Sequence, residues 1–166
     1  FPLGKNPNYG LEISNSIVFT DNIPLLAIFF KLFKPIISSD FQYFGIWILL
    51  CFFLQLLISY LLLNKITKDK LFSSIGSIFF LLTPFLLYRI SNHFSLGAHW
   101  LILYAFYVAY FIEEKKTSFH WILLIFLSTL IHLYFTVIIF IIYFFSRIKK
   151  LFAKTSFKKE ILKILT

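Results

Sequence analysis

A long run without a charged residue, covering residues 41–64, is the feature that most restricts what this chain can fold into. An α-helix needs about 20 consecutive apolar residues to cross the hydrocarbon core of a bilayer, and this run is long enough. No water is present in that core to hydrogen-bond the backbone, so a single segment that crosses it has to be helical. The run therefore predicts a membrane-spanning helix.

The rest of the chain has the same character. Hydrophobic residues make up 60% of it and charged residues 14%, against roughly 45–50% and about 25% in soluble domains. The apolar residues lie in blocks and not in one-sided stripes, so several helices need lipid or other helices on every side. We therefore predict an all-α, polytopic helical membrane protein.

Three further apolar blocks predict spans at residues 71–88, 94–112 and 119–145. Residues 1–40 are predicted to form an exterior loop and an interfacial helix over 24–37, because that stretch is apolar, too short to cross and carries two lysines. The chain contains no methionine. We therefore expect it to be a fragment that is incomplete at both ends.

Lysines and arginines predict the orientation, since cytoplasmic loops carry an excess of them. The loops after the first and third predicted spans are rich in lysine: Lys65, Lys68, Lys70, Lys115 and Lys116. The loop between the second and third spans contains only Arg89. Residues 1–40 and 89–97 are therefore predicted to face the exterior.

The block at residues 119–145 has two interpretations, because residues 146–166 after it form a strongly basic tail. One long tilted helix would place this tail outside, against the orientation rule. Two short helices that meet near His132 would return it to the cytoplasm, as a re-entrant pair buried among other helices. We favour the second interpretation, and we expect anionic membrane lipids, not nucleic acid, to be the partner of the tail.

Polar residues that could carry chemistry collect on the predicted exterior side: Glu12, Asp21, Arg89, Asn92, His93, His99 and His132. Ionisable residues at membrane depth are costly to bury and are often functional. Each also has a simpler role. Asp21 could cap the helix that starts at Pro24, Glu12 could be a solvated loop residue, and His132 could make a helix–helix hydrogen bond.

Three segments, residues 10–25, 41–45 and 92–100, together resemble an uncharacterised family of bacterial multi-spanning proteins. That family is itself similar to the GT-C glycosyltransferase superfamily. The resemblance covers most of residues 1–145 and rests on loop motifs, above all the stretch from Thr20 to Leu25 and the stretch from Asn92 to Trp100. It implies a GT-C-like fold in the bacterial cytoplasmic membrane.

The resemblance also implies an activity, which is transfer of a sugar from a polyprenyl phosphate at the exterior membrane face. Asp21 matches the acidic residue that GT-C enzymes carry in the first exterior loop and is implied as the catalytic base. The other implied site residues are His93 and His99 in catalysis, and Glu12, Arg89, Asn92 and His132 in substrate binding.

The sequence departs from the GT-C pattern at two positions. Asn22 follows Asp21, so the usual paired acidic motif is missing, and the need for a divalent cation stays open. At the second position, Leu133 replaces the proline of a His-Pro-Tyr element that is common in related sequences.

His93 and His99 have the wrong spacing for two metal ligands on one helix face. No metal ligand or other cofactor is assigned.

The alternative is a non-enzymatic integral membrane protein, either a structural or a transport component. A transporter would need ionisable or unwound positions near the middle of several spans. The run at residues 41–64 offers only Gln55 there. This disfavours transport and leaves a structural role open.

Overall fold

The structure is a computed structural model that describes residues 5–6, 15–16, 21–37 and 41–154. Two short strands, β1 (Lys5–Asn6) and β2 (Asn15–Ser16), pair antiparallel. Everything else that is regular in the described part is helical, as predicted. The α-helices are α1 (Pro24–Lys31), α2 (Phe44–Thr67), α3 (Lys70–Leu81), α4 (Pro84–Asn92), α5 (Trp100–Phe111), α6 (Glu114–Ile131) and α7 (Leu133–Lys154), and a 3-10 helix covers Phe94–Gly97.

Helices α2 and α3 form an antiparallel hairpin. Helix α2 ends where Lys68 adopts a left-handed backbone conformation, with φ of 58°. Asp69 then caps α3, because its carboxylate accepts a hydrogen bond from the Phe72 amide at 3.1 Å. Gly76 faces Leu63 of α2, where an added Cβ would lie 2.7 Å from the Leu63 Cδ1 atom.

The predicted span at residues 71–88 is not one straight helix. It is broken at Thr83, and α3 and α4 are bent by 42° relative to each other. Pro84 is the cause, because proline has no amide hydrogen to continue α3 and its ring forces Thr83 into an extended conformation. Pro84 instead begins α4, a position where its missing donor costs nothing.

The predicted span at residues 94–112 also has two parts. The 3-10 helix Phe94–Gly97 comes first, and α5 follows it. The helix predicted over residues 24–37 is also shorter than expected. Helix α1 ends at Lys31, and turns occupy residues 32–36. None of the residues of α1 is buried, and the interfacial position of this helix stays a prediction.

Helices α6 and α7 form a second hairpin that turns at His132. Trp121 and Tyr143 lie in ring contact with centroids 5.2 Å apart. The Thr129 and Thr136 hydroxyls are 3.4 Å apart, much nearer the turn. The chain therefore reverses direction here, and a single long tilted helix is wrong. Both helices are longer than the two short helices that we predicted, because the charged residues that flank the apolar block are helical too.

The helices place four chain segments at one end of the bundle, which we call the Asp21 end. These are the start of α2, the end of α4, the start of α5 and the turn between α6 and α7. Phe44 contacts Phe94 there with ring centroids 5.1 Å apart, and His99 contacts Phe135 at 6.1 Å. The opposite end, which we call the Lys68 end, holds the α2–α3 and α5–α6 connections.

Two helical segments of the described residues are long and apolar enough to cross a membrane: Phe44–Thr67 and Phe94–Phe111. The bent pair α3 and α4 would be a third, whereas the apolar part of α6 is shorter. Large apolar side chains face outward on several helices, for example Leu49 at 70% exposure and Phe79 at 72%. An apolar outer surface of this kind fits contact with lipid.

Candidate functional site

The Asp21 carboxylate is held by residues more than seventy positions along the chain. Its Oδ2 atom accepts a hydrogen bond from the Phe94 amide at 2.6 Å. Its Oδ1 atom accepts two from Ser95, from the amide at 3.1 Å and from the hydroxyl at 2.5 Å. The carboxylate therefore satisfies the free amides at the start of the 3-10 helix. It does not cap α1, whose first turn has no side-chain capping bond.

Tight packing holds the 3-10 helix in place to meet this carboxylate. The Trp47 indole donates a hydrogen bond to the Phe94 carbonyl at 2.7 Å. At the other end of the 3-10 helix, Gly97 allows a close approach, since a Cβ there would lie 2.6 Å from the Ile90 Cγ1 atom. Helices α2 and α4 thus fix the position of Phe94 and Ser95.

The Asp21 side is anchored as well. Ile23, two residues later, is fully buried at 0% exposure. Tyr43 makes a hydrogen bond with the Ile23 backbone, and burial raises the pKa of Tyr43 while this bond lowers it. The hydrogen bond of Tyr43, at the start of α2, therefore ties the segment that follows Asp21 to the helix bundle.

His93 stands next to the Asp21 carboxylate. Its Nδ1 atom lies 3.9 Å from the Asp21 Oδ2 atom, and the two side chains are 57% and 28% exposed. His93 is the residue that ends α4, where its amide donates to the Arg89 carbonyl at 2.7 Å. The backbone of His93 is thus fixed, and its imidazole is open to solvent, where a substrate could reach it.

His132 lies at the same end of the bundle, in the turn between α6 and α7. Burial lowers its pKa, the Asp21 charge raises it and the proximity of His93 lowers it. Its Nδ1 atom accepts a hydrogen bond from the Tyr134 amide at 3.2 Å, so the proton of the neutral ring sits on Nε2. We call Asp21, His93, Ser95 and His132 the Asp21 cluster.

An aromatic stack lies at the same end of the bundle. The His99 ring stacks on Phe85 with centroids 5.1 Å apart, and the Arg89 guanidinium lies 5.1 Å from the centroid of that same Phe85 ring. Phe135, one turn after His132, contacts His99 edge to face. We call Phe85, Arg89, His99 and Phe135 the His99 stack. This stack places the Arg89 cation and the ring nitrogens of His99 at the Asp21 end.

Two predicted site residues do not join these groups. Asn92 is exposed, and its side-chain amide donates to the Tyr88 carbonyl of its own helix at 2.9 Å. Glu12 lies outside the described residues.

Sequence reasoning missed Ser95, Trp47 and Phe135. A tryptophan near the start of a span is a typical interface signal, but nothing in the sequence names its partner carbonyl.

A metal site is not formed by the part of the chain that the structure describes. No group of three or more His, Cys, Asp or Glu side chains there could hold a metal ion. The Asp21 oxygens accept hydrogen bonds from Phe94 and Ser95.

Comparison with known proteins gives a family and no function. A family model described as a domain of unknown function (DUF6311) matches residues 1–166. No curated protein and no solved structure matches the chain.

Proposed function

We propose that this chain, which belongs to the DUF6311 family, is a GT-C-like glycosyltransferase. The proposal rests on the resemblance of its loop motifs to that superfamily and on the geometry of the Asp21 end. The protein takes a sugar from a lipid-linked phosphate donor in cell-envelope glycan synthesis. The observation that carries this proposal is the pairing of Asp21 and His93, which come from distant segments of the chain and lie 3.9 Å apart. The His99 stack supplies Arg89 at the same end.

The base in this reaction is His93, oriented by Asp21. An ionised carboxylate has about four acceptor positions, and Phe94 and Ser95 occupy three of those on Asp21. Its remaining position can stabilise the His93 ring, which is 3.9 Å away, and such bonds tighten when substrate binds. His93 Nε2 then takes the proton of the acceptor hydroxyl as that oxygen attacks the anomeric carbon. This refines the sequence-based expectation that Asp21 itself is the base.

The leaving group of the reaction is the lipid phosphate. The bond between the anomeric carbon and the phosphate oxygen breaks as the new glycosidic bond forms, and negative charge develops on that oxygen. A guanidinium presents five donors in a fixed fork that suits phosphate. Arg89 is held by Phe85 near His99 and is therefore the group that stabilises this charge.

The proposal places the protein in the bacterial cytoplasmic membrane, with the Asp21 end at the exterior face. The lysine-rich Lys68 end then faces the cytoplasm, as the orientation rule requires. The exposed apolar side chains of α1, such as Ile28 at 57% and Phe29 at 51%, lie beside the Asp21 end and would contact the lipid chain of the donor.

The proposal is tested by deleting the gene and profiling envelope glycans and their lipid-linked precursors by mass spectrometry. Complementation uses the wild-type protein, His93→Gln and the matched control His120→Gln. His120 lies in α6, where its Nδ1 atom is 2.6 Å from the Tyr104 hydroxyl. Loss of a general base typically costs about 10²–10⁴-fold in rate.

We expect a glycan that is lost on deletion and restored by wild type and by His120→Gln, but not by His93→Gln at equal protein level. Full restoration by His93→Gln would contradict the proposal.

A second candidate is a non-enzymatic structural membrane protein, and the three hydrogen bonds that occupy Asp21 favour it. In that role Asp21 ties the segment before α1 to the connection between α4 and α5. This candidate predicts that an Asp21 variant lowers the amount of folded protein while His93→Gln has no effect. The complementation series with an added Asp21→Asn variant therefore separates the two functions.

A further inference from the structure

A groove between α5 and α7 lies near the Lys68 end, away from the Asp21 cluster and the His99 stack. Its volume is about 540 Å3, within the usual range for sites that hold small molecules. Apolar side chains line most of it, and a hydroxyl and a cation complete one end: Phe106, Ala109, Tyr110, Ile142, Ser146 and Lys149. The lining is therefore amphipathic along its length.

The cation at the mouth of the groove is held in place. The Lys149 ammonium lies 4.6 Å from the centroid of the Tyr110 ring, a cation–π contact. One helical turn earlier, the Ser146 hydroxyl donates to the Tyr143 carbonyl at 2.7 Å and so keeps its lone pairs for a donor from outside. A positive charge and an acceptor thus stand together where the apolar lining ends.

The apolar part of the groove faces outward. Phe106 is 39% exposed, Tyr110 60% and Phe145 63%. Since α7 begins at the Asp21 end and Lys149 lies near its far end, the groove runs along the bundle axis and its charged mouth lies at the Lys68 end. A ligand that fits would place a hydrocarbon chain along the helices and a negative group at Lys149.

We infer that this groove is a binding site for an anionic glycerophospholipid, with one acyl chain between α5 and α7 and the headgroup phosphate on Lys149. Charge complementarity selects the ligand, because the chain has a net charge of +9 and the Lys68 end is lysine-rich. A zwitterionic lipid would bring its own cation to Lys149 and would bind less well. The inference is independent of the transfer reaction at the Asp21 end.

The test uses the full chain in nanodiscs made from equal amounts of phosphatidylglycerol and phosphatidylcholine. Lipids that stay bound after detergent extraction are counted by native mass spectrometry. A phosphatidylglycerol with a photoreactive acyl chain then maps the contact by cross-linking. The variants are Lys149→Gln, Ala109→Trp to fill the groove, and the matched control Arg147→Gln, whose exposed side chain does not line the groove.

We expect wild type to retain phosphatidylglycerol over phosphatidylcholine, with cross-links between residues 141 and 149. Lys149→Gln should lower this retention about fivefold, while Arg147→Gln should change it by less than about twofold, since one close lysine–headgroup contact carries most of the effect. Ala109→Trp should abolish the cross-link.

Three results would each overturn the inference. The first is equal retention of the two lipids. The second is an equal loss of retention in the Lys149 and Arg147 variants, because this would indicate diffuse attraction to the membrane surface. The third is a cross-link that joins the groove to a second copy of the chain. Lys149 is exposed, so its variant remains informative even where Ala109→Trp fails to fold.

Discussion

The two ends of the helix bundle are built in different ways. At the Lys68 end, the polar contacts of the α2–α3 turn are local, since Asp69 bonds the Phe72 amide three residues on and Thr67 contacts Ser73 six residues on. At the Asp21 end, Asp21 bonds Ser95 across 74 residues and Trp47 bonds Phe94 across 47. Local bonds make a turn, whereas long-range polar bonds bring distant side chains to one place. The groups that we propose to carry the transfer reaction are therefore brought together at the Asp21 end.

The largest difference in stability should come from the two capping aspartates. Asp21→Ala removes three hydrogen bonds to a carboxylate and leaves the Phe94 and Ser95 amides without an acceptor, which should cost about 3 kcal/mol of unfolding free energy. Asp69→Ala removes one exposed helix cap and should cost about 1 kcal/mol. Denaturant unfolding of the detergent-solubilised protein checks this. Equal losses at both positions would remove the distinction between the ends.

Two glycines test how closely each end is packed. Gly97→Ala places a methyl group 2.6 Å from the branched Ile90 Cγ1 atom and should cost about 2 kcal/mol, the usual effect of overpacking. The methyl group that Gly76→Ala adds contacts only the tip of the Leu63 side chain, which can rotate away. Alanine also favours the helix over glycine by about 1 kcal/mol.

The Gly76 variant should therefore be nearly neutral. Thermal unfolding followed by circular dichroism measures both variants. Gly45→Ala, with nothing within 4 Å of its added methyl, is the control.

Trp47→Phe should have a smaller effect. The substitution keeps an aromatic ring in the core but removes the indole donor to the Phe94 carbonyl, so about 1 kcal/mol of stability is lost. The loss should vanish when Asp21→Ala is already present, because the 3-10 helix is then no longer held. A double-mutant cycle measures this coupling, and strictly additive losses would show that the two bonds act separately.

The smallest effect should come from the pH response of His132. Its pKa is lowered in the folded protein, mainly by burial, so folding favours the neutral ring. That contribution is present above the ordinary histidine pKa of about 6.5 and is lost as the pH falls through the lower folded value. Between about pH 7.5 and 5.5, the unfolding temperature of wild type should fall more than that of His132→Gln. Parallel curves would show that His132 is not desolvated.

Much of the fold could be predicted because its causes are local. The uncharged run at residues 41–64 predicts α2 because no other structure satisfies its backbone in lipid. The break before Pro84 follows from proline chemistry, since a proline near one end of residues 71–88 predicts a tolerable kink within one span. The turn at His132 could be inferred from the basic residues after it, since a tail rich in lysine favours the cytoplasmic side.

The site was predicted only in part, because its contacts depend on packing between segments far apart in sequence. Asp21, His93, His99 and His132 were selected as ionisable residues near a membrane. Nothing in the sequence pairs Asp21 with Ser95, and nothing places Trp47 under Phe94. The sequence also does not show the bond of Asn92 to Tyr88, which depends on the helix geometry, and the role of Asn92 in substrate binding stays a prediction.

The central claim is that the Asp21 end carries the chemistry and the Lys68 end does not. The most direct test is to complement the deletion strain with Asp21→Asn and with Asp69→Asn, at matched levels of folded protein, and to profile envelope glycans. We expect Asp69→Asn to restore the missing glycan and Asp21→Asn to leave it absent. Restoration of the same glycan by both variants would contradict the account.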